Sequence, residues 1–181
     1  MPTIFSHPAV PIAIGLGLGK KIISKRLVAV GAIASILPDL DVIAFSFGIP
    51  YDAPLGHRGF THSLFFALLV AGIGACAYRW CQSSFSRTFW FLLVAMASHG
   101  MLDAFTNGGL GIAFFWPWVD DRYFAPWRMI QVSPIGIFFF STRGLSVIIS
   151  ELKWVWLPCV LLGIVLAVFR IYYLERRIKQ N

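Results

Sequence analysis

"WVWLPCVLLGIVLAVFRIYY", from Trp154 to Tyr173, decides how the rest of the chain is read. A helix needs roughly 20 residues to cross a hydrocarbon layer about 30 Å thick, and this run supplies them with Arg170 as its one charge. Trp stands at one end and Tyr at the other, the placement that interfacial aromatic belts favour. Arg176, Arg177 and Lys179 follow at once, a basic flank suited to a cytoplasmic end. The composition agrees with this reading. Hydrophobic residues make up 58% of the 181 residues and charged ones 13%, against about 45–50% and about 25% in ordinary soluble domains. With a mean hydropathy of +0.76, the surplus apolar surface needs lipid. The expectation is an all-α integral membrane protein forming a single domain over residues 1–181.

Working outward, His62–Trp80 and Thr88–Phe105 read as further spans. Leu27–Phe47 reads as another, interrupted by "PDLD" at Pro38 to Asp41. Phe5–Gly19 is short and Gly-rich, a partial or re-entrant helix. That gives four to five membrane helices. Between residues 107 and 153 the many Gly, Pro and aromatic residues predict interfacial or re-entrant segments. Counting back from a cytoplasmic tail puts Arg79 and Arg87 inside, and Lys20, Lys21, Lys25 and Arg26 with them. The expected protein is multi-pass with a cytoplasmic C-terminus.

The net charge of +7 falls in short clusters beside apolar runs. This is the pattern of topology signals and contacts to anionic lipid headgroups, not of a nucleic-acid surface. Cys76, Cys81 and Cys159 form no C-x-x-C pair, so neither a disulfide framework nor a thiolate metal site is expected. In the first residues the positive charges follow the apolar run. This is the wrong order for a cleaved signal peptide, so the segment is expected to be retained.

The same topology carries all four His of the chain to the outer side. His7 opens the first helix, and Asp39 and Asp41 lie toward the end of the second. His57 and His62 precede the third, and His99 and Asp103, four residues apart and so on one helix face, end the fourth. Ionisable groups at membrane depth are costly and point to function. Imidazole and carboxylate are the donors of Zn, Mn or Fe sites, so these seven residues are the candidate ligands for one or two divalent ions, Zn first. Such an ion would activate water at neutral pH. Asp39 or Asp41 could bridge two ions or act as general base. Arg58 has two readings, a phosphate clamp or a side chain reaching toward headgroups. The HExxH, GxSxG and Walker motifs are absent from the sequence.

"SHP" at Ser6, "PDLD", "HRGFTHS" at His57, "SHGMLDAFTNGG" at Ser98 and "PWRMIQVSPIG" at Pro126 resemble, in this order, the YdjM-like inner-membrane-bound metal-dependent hydrolases. The resemblance runs from about His7 to Gly136. It implies a multi-helix membrane protein with a His/Asp metal centre at His7, Asp39, Asp41, His57, His62, His99 and Asp103. It also implies a distant likeness to the zinc-dependent phospholipases C.

The expected function is therefore a metal-dependent hydrolase of the bacterial inner membrane, cleaving a phosphoester of a membrane lipid or lipid-linked substrate at the outer (periplasmic) face. Asp41 and Arg58 would be its catalytic residues. Two other readings stay open. One is a non-catalytic metal site serving transport or sensing, against which stand the apolar inner halves of the third and fourth spans. The other is peptide-bond hydrolysis with the same activated water.

Overall fold

A computed structural model describes residues 1–134 and 139–180, with the side chains of 174–180 excepted. Expectations for Ile135 and Gly136, and for the side chains of Arg176, Arg177 and Lys179, lie outside the described residues. The described elements are helical, and no strand occurs among them. The helices are α1 (Ala9–Leu18), α2 (Lys25–Ala34), α3 (Leu64–Ala75), α4 (Phe85–Ala104), α5 (Thr142–Glu151) and α6 (Leu157–Gln180). A tighter 3-10 helix, Leu37–Phe47, continues α2, and a turn of wide π-type helix, Leu152–Trp156, joins α5 to α6.

Two of these stretches are both long and apolar enough to cross a membrane, Lys25–Phe47 and Thr142–Tyr173. The second corrects the expectation for residues 107–153. Thr142–Glu151 is not an interfacial piece but the first turns of a 32-residue helical run. Its π-type turn lies just ahead of Pro158, which has no N–H and whose ring crowds the carbonyl four residues back, a conflict that a wider turn relieves. The third expected span is also shorter than read. α3 has 12 residues, about 18 Å of helix at 1.5 Å per residue. α4 has a span's length at 20 residues, but Arg87, His99 and Asp103 lower its hydropathy. From residue 107 to 134 the chain is irregular, held by two isolated bridges, Thr106 to Ile130 and Ile112 to Tyr123.

Serine side chains set the starts of α2, α3 and α4. Ser24 Oγ accepts from Leu27 N–H at 3.1 Å, Ser63 Oγ from Phe66 N–H at 3.1 Å and Ser84 Oγ from Arg87 N–H at 3.3 Å, each satisfying a donor that the first turn leaves open. α3 buries Ala67, Ala71 and Ala75, every fourth residue and hence one face, and packs that face on α4. Leu27, Phe91, Leu92 and Met96 complete this core. α1 packs on α6, closely enough that a Cβ on Gly17 would stand 2.8 Å from Gly163 O and 2.7 Å from Leu166 Cβ. Small residues permit such close approach of helices in lipid, where no hydrophobic force draws them together. Away from that contact α6 exposes Leu161, Val165, Val168 and Phe169, a face suited to acyl chains.

Candidate metal centre

Four pieces of chain converge at one end of the bundle. His7 lies in the turn leading into α1, and Glu151 fixes that turn: its carboxylate accepts from Thr3 N–H, from Thr3 Oγ at 2.6 Å and from Ser6 Oγ at 2.7 Å. Asp39 and Asp41 come from the 3-10 helix. There Asp39 N–H bonds to Ile36 O at 3.1 Å, the i to i+3 tightening that distinguishes this stretch from α2. His57 and His62 come from the loop before α3. This loop folds back so tightly that a Cβ on Gly56 or Gly59 would collide with Pro50 O or Pro54 O. His99 and Asp103 share the buried face of α4. All seven side chains are buried.

Hydrogen bonding fixes the two central imidazoles. His99 Nδ1 lies 2.7 Å from Ser35 O; a carbonyl only accepts, so Nδ1 carries the proton and Nε2 presents a lone pair. Thr61 Oγ donates to Asp41 Oδ2 at 2.7 Å and lies 3.0 Å from His62 Nδ1, itself 3.2 Å from Asp41 Oδ2. These acceptors place the His62 proton on Nδ1 and free its Nε2. The two Nε2 atoms stand 3.0 Å apart; with both rings neutral they meet lone pair toward lone pair, an arrangement that a cation between them makes favourable. Asp39 Oδ1 stands 3.5 Å from His99 Nε2, and Asp103 Oδ2 stands 3.3 Å from His62 Nε2. The ligand atoms of Asp39, His62, His99 and Asp103 lie within 4.8 Å of one another. Donors about 2.0–2.2 Å from a tetrahedral Zn stand about 3.3–3.6 Å apart, so the set fits a divalent ion.

Unpaired atoms separate ligands from supports. Both oxygens of Asp39 and of Asp103, and both ring nitrogens of His7, are buried without a hydrogen-bond partner, a costly state unless an ion or water joins them. Asp41 and His57 differ. His57 Nδ1 lies 2.6 Å from Asp41 Oδ1, and Asp41 Oδ2 accepts from Arg58 N–H at 3.2 Å as well as from Thr61. Asp41, His57 and His62 also lie close enough together to hold an ion, but their own hydrogen bonds already engage Asp41. In this arrangement Asp41 orients the candidate ligand His62, the support that metal-bound imidazoles usually receive.

Arg58 does not stand as a phosphate clamp. It is fully buried, and its guanidinium donates to Gly108 O at 2.9 Å, Leu110 O at 2.8 Å and Thr106 Oγ at 2.9 Å. Its Nε lies 3.3 Å from Asp103 Oδ2. With φ at 65°, Arg58 holds a left-handed conformation that its buried contacts must sustain. Its role here is to hold the loop after α4 and to balance the Asp103 charge.

The family model for the YdjM inner membrane protein matches residues 1–176. The chain belongs to the YdjM inner membrane protein family. It is also 49% identical over 166 residues to the inner membrane protein YbcI of Escherichia coli (strain K12), covering 90% of this chain and 95% of that protein. No solved structure matches it. Membership agrees with the resemblance read from the motifs and places the chain among inner-membrane proteins.

Several site residues carried no weight in the sequence reading. Thr61 lies inside the "HRGFTHS" motif beside His62 and was within reach. Arg122 has no local signal: it donates to His57 O at 3.1 Å and to Asp52 O and Ala53 O, each at 3.2 Å, binding the His57 loop from about 65 residues away. Glu151 acts on the His7 turn from still farther along the chain. Tyr51 packs edge-on against His57, ring centroids 5.1 Å apart. Burial pushes its phenol above the ordinary value, against the opposing pull of Arg58, so Tyr51 stays a neutral hydroxyl.

Proposed function

We propose that this protein is a metal-dependent hydrolase of the bacterial inner membrane, acting on a phosphoester of a lipid or lipid-linked molecule. The observation that carries the reading is the meeting of His62 and His99 at Nε2, 3.0 Å apart, beside the carboxylates of Asp39 and Asp103, whose oxygens are buried without a hydrogen bond. These four residues hold the ion, Zn by preference for this donor set, with Mn or Fe as alternatives. When bound, the ion supplies an activated water at neutral pH and polarises the substrate.

The remaining residues have distinct tasks. Asp41 fixes His57 through Nδ1, leaving Nε2 as the nitrogen that takes or gives a proton. The ring of His57 lies 5.3 Å from that of His62, close to the reacting centre. In this reading the general base assigned to Asp41 becomes the Asp41–His57 pair. Thr61 holds His62 and Asp41 in register. Phe47, at the end of the 3-10 helix, and Leu55, on the loop of His57, are exposed, apolar side chains that support a lipid-borne substrate.

We place the centre at the outer face, in a bundle of four to five membrane helices that includes α1, α3 and α4. The short α1 and α3 lie within the layer beside the two full-length runs. The deciding experiment is metal analysis with a phospholipid turnover screen on wild type and His62→Ala in detergent. Wild type is expected to hold metal and release a phosphorylated headgroup or a diacylglycerol, and the variant to do neither. Intact wild-type protein that binds no divalent metal sinks the proposal.

A further inference from the structure

We infer that the centre is built for two ions that share Asp39 and Asp103, with His7 as the terminal ligand of the second. The inference rests on the metal reading above and adds nuclearity and the task of His7.

The argument starts from how the two carboxylates divide. Asp39 turns Oδ1 toward His99 Nε2 at 3.5 Å and Oδ2 toward His7 Nε2, also at 3.5 Å. Asp103 turns Oδ2 toward His62 Nε2 at 3.3 Å and Oδ1 toward His7 Nε2 at 3.9 Å. Each aspartate therefore offers one oxygen to the His62/His99 pair and the other to His7. A carboxylate with its two oxygens facing two donor sets is placed as a bridge.

The imidazoles are arranged to match. His7 and His99 stack with centroids 3.7 Å apart and planes 19° from parallel. Both present Nε2 to the same carboxylate, on different oxygens. Paired catalytic ions stand about 3.5–4 Å apart, a spacing comparable to the 3.7 Å between the two ring centroids.

A single ion held by His62, His99, Asp39 and Asp103 leaves His7 unexplained. His7 is wholly buried, and neither of its ring nitrogens makes a hydrogen bond, the nearest carboxylate oxygen standing 3.5 Å from Nε2. A buried imidazole with no acceptor for its N–H and no donor for its lone pair is costly. A second ion engages that lone pair together with Asp39 Oδ2 and Asp103 Oδ1. It has three protein donors where the first has four, so it is the more weakly held and keeps positions open for water or substrate.

The test uses the full chain in detergent, stripped with chelator and reloaded with Mn(II) to saturation. Bound Mn is counted per chain, and the paramagnetic resonance spectrum is recorded. Wild type is expected to bind two Mn with the signature of a spin-coupled pair. His7→Ala is expected to bind one, with the signal of an isolated ion. His7→Gln, which keeps the polar volume, guards against a folding defect, and the wild-type spectrum decides without any variant. One Mn per chain at saturation in wild type overturns the second ion and leaves the first standing. Two coupled ions retained in a folded His7→Ala overturn the assignment of His7. No bound Mn or Zn in wild type overturns both this inference and the metal reading beneath it.

Discussion

Thr61 shows how closely single residues are tied together in the centre. Its hydroxyl donates to Asp41 and faces His62 Nδ1, so Thr61→Val removes the link while keeping the volume. Metal affinity is expected to fall about 10–100-fold, read by competition with a chromophoric chelator. The protein should still melt near the wild-type temperature. Arg58 gives the contrasting case. Arg58→Met leaves Asp103 without its cation and two carbonyls without their donor, and should lower stability by about 3–5 kcal/mol, measured by denaturation in detergent. Arg58→Lys should not restore it, since a point charge cannot reach Gly108, Leu110 and Thr106 together. That the seven candidate residues come together was legible because imidazole and carboxylate stand out in an apolar chain. The division into ligands and supports was not, because it depends on which lone pairs meet. "HRG" could not reveal that Arg58 turns inward, because its partners lie about 50 residues farther on.

Elements were legible wherever length and hydropathy decide. Trp154–Tyr173 was read as a span and lies within a helical run long and apolar enough to cross a membrane, and the interruption at "PDLD" marks the change from α2 to a tighter helix. The stretch from Thr142 to Glu151 was misread because Gly144 and its polar neighbours look like interface. Packing against neighbours, not propensity, settles short pieces of helix. The α1–α6 contact yields a prediction of its own. Gly17→Ala should lower the melting temperature, because a Cβ there overlaps Gly163 and Leu166. Gly72→Ala in α3 meets nothing within 4 Å. It should be neutral or gain up to about 1 kcal/mol from helix propensity. Thermal unfolding of the two variants in one detergent distinguishes these outcomes.

At the scale of the whole molecule the orientation in the membrane is the property to test. Asp120→Cys in a Cys76→Ser background is expected to react with a membrane-impermeant maleimide in intact cells. A fluorescent protein fused to the C-terminus is expected to fluoresce. Protection of residue 120 in intact cells, with labelling only after lysis, would invert the orientation. The bundle also brings the two ends of the chain together, since Glu151 fixes the turn that carries His7 and α6 lies along α1. This constrains the order of biosynthesis. A nascent chain can bring Asp39, His62, His99 and Asp103 together once α4 has left the ribosome, but His7 is not held until Glu151 follows. Metal loading is therefore expected to finish only after the last helix is inserted, and a chain stalled before α5 would carry a centre that lacks its first histidine.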